Sequence, residues 1–138
     1  MKRVFTAILT LMLILSLSTH GMAAKVESNV VSPRYLYIAS TSANLEINER
    51  TGVATCTALC DANGAYTVEI ECRLQRDAGT MWQTIQTWSV SGTGQASLIK
   101  QWAVPSGYTY SLYTIFSVRD SAGNLLERDI MRKSYLFV

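Results

Sequence analysis

Histidine occurs once among the 138 residues, at His20, and cysteine three times, at Cys56, Cys60 and Cys72. Proline occurs twice, at Pro33 and Pro105, and charged residues make up only 16% of the chain. Each scarcity excludes something. A formal net charge of +2 falls short of the concentrated basic face that nucleic-acid binders carry. A hydrophobic fraction of 49% is too high for a disordered chain. The length allows one ordinary domain, at roughly 100–200 residues per domain. No stretch beyond residue 24 sustains apolar residues at helical spacing, which argues against a helical bundle.

The amino terminus has the pattern of an export signal. Met1-Lys2-Arg3 is followed by a run of apolar residues to Leu17, then by small residues ending at Ala23-Ala24. A charged start, an apolar centre and small residues at a cleavage point predict a signal-peptide helix over residues 1–24. Cleavage near Ala24 leaves Lys25 as the first mature residue. The competing reading is an uncleaved anchor, since no charge lies between Val4 and Ala24. No cysteine stands near the cleavage point, so a lipid anchor is not expected.

Cleavage changes the composition. The expected mature chain has 114 residues, 138 less 24, and loses Lys2, Arg3 and His20. Basic residues fall from 12 to 10 and acidic residues stay at 10, so the formal charge becomes zero. A chain without histidine cannot build a Ser-His-Asp or Cys-His site. It also lacks the imidazole ligands of most catalytic zinc sites. The expectation is therefore a non-enzymatic protein with no cofactor, no metal and no catalytic residues.

The rest of the chain reads as strands. Tyr66, Val68, Ile70, Cys72 and Leu74 alternate with Thr67, Glu69, Glu71, Arg73 and Gln75, so one face is apolar and the other wet. Residues 35–40 and 45–48 read as an interrupted first strand. Strands at 53–60, 81–90, 96–104, 108–119 and 125–133 follow, separated by segments rich in Gly, Asp, Asn, Ser and Pro. About seven strands in this length predict an all-β fold, an antiparallel two-sheet sandwich of immunoglobulin-like type. A small closed barrel is the alternative. Residues 25–33 are expected to be a flexible mature N-terminus and residues 34–138 the β-sandwich domain. In this layout the second strand carries Cys56, but the sixth has no cysteine, and Leu112 or a neighbour takes its place. Trp82 and Trp88 share a strand parity that Ile85 breaks, which predicts a bulge or twist.

Three cysteines leave at least one thiol unpaired. A disulfide between Cys56 and Cys72 is one reading, and Cys60–Cys72 a second. Buried free thiols acting as small apolar residues are the third. Among the carboxylates, Glu69 and Glu71 share one exposed strand face, which is not the convergent cleft of an acid–base pair. The loops at Asp61-Ala62-Asn63-Gly64 and at residues 120–124 hold too few oxygens for calcium and read as hairpin turns. Among the aromatic residues, Tyr37 and Tyr113 are the best candidates for rings facing a ligand, and the others fill the core.

Several short patterns lie in order along the chain: Arg34-Tyr35-x-Tyr37-Ile38, Leu45-x-Ile47, Gly52-x-Ala54-x-Cys56, Trp82-x-Thr84-Ile85-x-x-Trp88, Gly107-Tyr108-Thr109-Tyr110 and Ser121-x-Gly123-Asn124-x-Leu126-Glu127. Together they resemble an uncharacterised family, a domain of unknown function, of small secreted all-β proteins from Gram-positive, clostridia-like bacteria. The resemblance implies export and an all-β fold and offers no catalytic residues. Ser111 stands where that family carries a basic residue, and Cys60 and Cys72 are additional to its pattern.

These readings converge on a secreted β-sandwich module with a binding or cell-surface role. The expected partner is a protein or a cell-wall glycan. Neither nucleic acid nor, after signal cleavage, a membrane is expected, because a neutral chain lacks the electrostatic attraction to either. The alternatives are a small antimicrobial or envelope-stress effector and a carboxylate-based hydrolase.

Overall fold

The computed structural model describes residues 35–138. The expected signal peptide, its cleavage point and residues 25–33 lie outside the described residues. Seven strands follow in order: β1 (Ile38–Asn48), β2 (Val53–Ala62), β3 (Thr67–Asp77), β4 (Trp82–Thr93), β5 (Gln95–Ala103), β6 (Tyr108–Arg119) and β7 (Leu125–Phe137). They form two antiparallel sheets, ordered β1-β2-β5 and β4-β3-β6-β7. This is the immunoglobulin-like sandwich that the alternation predicts. The fourth strand pairs with β3, whereas constant-type domains place it on the other sheet.

Period-2 patterning builds the core. Ala54, Cys56, Ala58 and Cys60 of β2 face Val68, Ile70, Cys72 and Leu74 of β3 and Leu112, Phe116 and Val118 of β6, all of them buried. Small residues on β2 and larger ones on β3 and β6 let the layers interdigitate. At roughly 25 cal/mol per Å² of apolar area buried, this two-sheet interior is the main source of stability.

Tyr110 locks the corner between the sheets. Its ring is fully buried and its hydroxyl donates to the Pro105 carbonyl at 2.6 Å. Two residues further on is Leu112, also fully buried. A tyrosine two positions before the sixth-strand cysteine, bonded back to the preceding corner, is a hallmark of immunoglobulin-like domains. Here leucine occupies the cysteine's place, as the layout of the sequence requires.

Three boundaries differ from the sequence reading. β1 is continuous, with an irregularity at residues 38–40 in place of a break. β4 runs through Ser91 and Gly92 to Thr93, and the chain reverses at Gly94, whose φ of 74° suits glycine. At Gly92 a Cβ would lie 2.1 Å from the Gln95 carbonyl oxygen, so glycine is required there for close approach. The Asp61–Gly64 segment is not a hairpin turn, because β2 and β3 belong to different sheets. The bulge expected near Ile85 is present: Leu74 pairs with Gln86 and Gln75 with Thr84, leaving Ile85 unpaired.

The two open sides of the sandwich are closed differently. Between β4 and β5, Trp88 and Trp102 meet edge-on with ring centroids 6.5 Å apart. Between β1 and β7, Glu127 accepts hydrogen bonds from the backbone N–H groups of Leu36, Tyr37 and Ile38 at 3.1, 2.9 and 2.6 Å. On its other side this segment meets β2, where Ile38 pairs with Ala62 and the Asn63 N–H donates to the Tyr37 carbonyl at 2.7 Å.

Candidate functional site

The solvent face of the four-stranded sheet carries the densest group of charged and aromatic side chains. The alternation that buries Ile70, Cys72 and Leu74 turns Glu69, Glu71 and Arg73 outward. On β6 it turns Ser111, Tyr113, Ile115, Ser117 and Arg119 the same way. Register then sets neighbours: Arg73 opposite Tyr113, Tyr113 opposite Arg132, and Gln75 opposite Ser111.

Arg132 is the centre of this arrangement. Its guanidinium lies 4.8 Å from the centroid of Tyr113 and 5.1 Å from that of Trp82. It donates to Gln75 Oε1 at 3.0 Å and to Ser111 Oγ at 3.1 Å. Gln75 and Ser111 are themselves buried, and Gln75 Nε2 donates onward to Thr84 Oγ1 at 3.1 Å. The ladder continues with Arg73, 6.0 Å from the Tyr113 ring and paired through Nε with Glu71. Each exposed cation–π contact is worth about 0.5–1 kcal/mol, so the stack fixes orientation more than it adds stability.

Beside the ladder lies an open, shallow depression of about 600 Å³, lined by Glu69, Glu71, Arg73, Ser89, Ser117 and Arg128 among others. Arg119 Nε donates to Glu69 Oε2 at 2.8 Å and its Nη1 to the Gly123 carbonyl at 3.2 Å. Among the described residues Arg128 takes part in no ion pair, and Arg132 has no carboxylate partner. Four guanidiniums, of Arg73, Arg119, Arg128 and Arg132, therefore stand on this face with three carboxylates, those of Glu69, Glu71 and, at the end of β3 opposite Trp82, Asp77.

The two candidate aromatic residues separate. Tyr113 is half-buried at the middle of the ladder. Tyr37 lies before β1 and packs edge-on against Tyr66, with centroids 5.3 Å apart and planes at 89°. It belongs to the segment that Glu127 pins and shares no surface row with Tyr113. The sequence reading did not single out Arg73 or Arg132, and it placed Trp82 in the core with the other rings. Instead Trp82 and Trp88 are half-buried at the sheet edge, and Tyr35, Trp102 and Tyr108 are exposed. Among the described aromatic residues only Tyr110, Phe116 and Phe137 are fully core. The signal for the two arginines was available only through register, by pairing β6 with β7 outward from the turn at Asp120–Asn124.

Cys56, Cys60 and Cys72 are fully buried free thiols, with no bridge between Cys56 and Cys72. Burial pushes the Cys56 thiol up to about 12 and the Cys60 thiol up to about 11, and raises Cys72 as well. Cys72 Sγ lies 3.7 Å from Thr114 Oγ1. Thiols held protonated in this way are poor nucleophiles and poor ligands.

The carboxylates are engaged one by one. Glu69 and Glu71 pair with arginines, Glu127 holds backbone N–H groups, and Asp129 accepts from Tyr35 and Thr41 hydroxyls at 3.0 and 2.7 Å. Asp120 binds back to its own turn through the N–H groups of Ala122 and Asn124, and the Asn124 side chain holds its carboxyl below the usual range. Among the described residues no group of three or more metal-capable side chains converges. No family model, no curated protein and no solved structure matches the chain.

Proposed function

We propose that the chain is an exported, non-enzymatic binding module, a member of the secreted family its motifs resemble. We propose further that the outer face of the β4-β3-β6-β7 sheet binds a partner protein through a carboxylate-rich segment. Arg132 carries this reading. It is exposed and oriented by two rings and two buried polar groups, and no carboxylate neutralises it. Tyr, Trp and Arg held rigidly in one patch are the residue types that dominate protein–protein hot spots. Arginine presents its donors as a planar fork that matches a carboxylate. A protein partner fits better than a glycan, because a guanidinium already lies against the Tyr113 and Trp82 rings that a sugar would stack on.

The test uses a fluorescent polyglutamate peptide, a polylysine peptide and a panel of soluble cell-wall glycans against the purified protein. The polyglutamate probe binds, and added salt weakens it. Arg132→Gln weakens it about 10- to 100-fold, the loss expected for one charged hydrogen bond of about 1.5–3 kcal/mol. Arg128→Gln also weakens it, and because the Arg128 side chain makes no hydrogen bond among the described residues while its backbone keeps its place opposite Ser117, this variant leaves the fold unchanged. Binding of a neutral glycan with none of the acidic probe overturns the reading.

A further inference from the structure

The four edge strands are not equally protected against pairing with another chain. β7 carries five charged residues, β1 carries Glu46 and β5 carries Lys100 at mid-strand. The segment held by Glu127 also packs along the β1–β7 side. β4, by contrast, carries no charge and no proline over twelve residues. It lies within an uncharged stretch of 22 residues, from 78 to 99, bounded by Asp77 and Lys100. Natural sheet edges are normally blunted by lysine, by proline or by a covering segment. Among the described residues β4 has none of these, and the bulge at Ile85 interrupts only its first third.

The direction of its free hydrogen-bonding groups can be read from the structure. The Thr87 N–H is taken by the side-chain oxygen of Gln86 at 3.0 Å, and the Gly94 N–H reaches the Tyr66 carbonyl on the β3 side at 2.8 Å. Even-numbered residues here bond towards β3. Thr87, Ser89 and Ser91 therefore turn their N–H and C=O groups towards the open edge, and a strand that pairs there takes the Thr87 N–H over from Gln86 Oε1. Their side chains are small, polar and exposed.

We propose that β4 pairs antiparallel with β4 of a second copy of the chain, with a two-fold axis within residues 87–89. The occupant follows from charge. A symmetric antiparallel pair sets a strand against its own sequence, so any charge near the axis meets its like, which is destabilising. β4 has none to meet. Outward residues then oppose outward residues, giving Thr and Ser pairs across the join. A two-fold axis perpendicular to the sheet keeps both outer faces on one side. The dimer is thus a single eight-stranded sheet, presenting two ladders side by side to a multivalent partner.

Sedimentation equilibrium of the purified protein over about a hundredfold range of concentration tests this without any ligand. The expected mass rises to that of two chains. Thr87→Lys with Ser89→Lys gives a single chain, and so does Thr87→Glu with Ser89→Glu. An equimolar mixture of the two variants returns to the two-chain mass, because opposite charges now face each other. Ser42→Lys, on the other sheet, leaves association unchanged. A wild-type protein that stays a single chain throughout overturns the proposal. So does a lysine variant that remains paired, or a mixture that stays single while both variants keep the wild-type circular dichroism. Loss of polyglutamate binding has no bearing on these masses, so the two readings fail separately.

Discussion

Tyr110→Phe isolates one atom of the fold. The ring stays in its fully buried site, and only the hydroxyl that donates 2.6 Å to the Pro105 carbonyl is removed. A neutral hydrogen bond contributes about 0.5–1.5 kcal/mol net, and an acceptor left unsatisfied costs about 1–3 kcal/mol. The expected loss is therefore about 1–3 kcal/mol, towards the lower end if water reaches the carbonyl. For a domain of this size, each kcal/mol corresponds to a fall in Tm of about 4–8 °C. Tyr110→Ala removes the ring as well and is expected to cost about 3–5 kcal/mol. Urea unfolding followed by tryptophan fluorescence measures both, with an unchanged m-value showing that the same surface is exposed. A Tyr110→Phe protein as stable as the wild type would refute the claim that this hydroxyl ties the corner. A Phe variant as damaged as the Ala variant would show that the ring is displaced when the hydroxyl is lost.

Three further outcomes follow from the same geometry. Gly92→Ala drives a methyl group into the Gln95 carbonyl and is expected to cost about 1–3 kcal/mol or more, seen as a lower Tm. The buried thiols keep their protons to higher pH in the folded chain than in the unfolded one, where the ordinary value is 9.0. Their contribution is complete below pH 9 and is lost as the pH rises towards about 12. Each thiol steepens the fall by up to ~1.4 kcal/mol per pH unit, and urea midpoints from pH 8 to 11 under reducing conditions should show a slope that Cys56→Ala reduces. Glu127→Gln withdraws the charge that three backbone N–H groups share. Faster hydrogen exchange at Tyr37 and Ile38 is expected, with the Val68 and Ile70 amides unaffected.

The fold was legible because its strands are half-buried and its alternation is clean. Val68 to Leu74 on β3 declare their faces residue by residue, and Ile85 out of phase between Trp82 and Trp88 declared the bulge. β6, by contrast, blurs its pattern with Thr114 inward, Ile115 outward and Ser111 and Ser117 buried on the outer face. Where the reading missed, local chemistry was ambiguous. Ser91 to Gly94 looks like a loop by composition, yet Gly92 is there for space and only Gly94 for conformation. The site was much less legible. Arg73, Tyr113 and Arg132 stand on three strands, far apart in sequence, and their meeting depends on the register of β6 against both neighbours. Tyr113 showed as an outward ring, while nothing local marked Arg132 as its partner. Tyr37, read as an outward ring within the first strand, precedes β1, where the Glu127 carboxylate and Tyr66 capture it.

The central claim is that the outer face of the four-stranded sheet is the recognition surface. Amide and indole chemical-shift mapping during titration with the polyglutamate peptide tests it most directly. The account predicts perturbations clustered at Arg73, Tyr113, Arg128, Arg132 and the Trp82 indole N–H, with the β1-β2-β5 face silent. Perturbations confined to that opposite face, or at Trp102 and Lys100 alone, would contradict it.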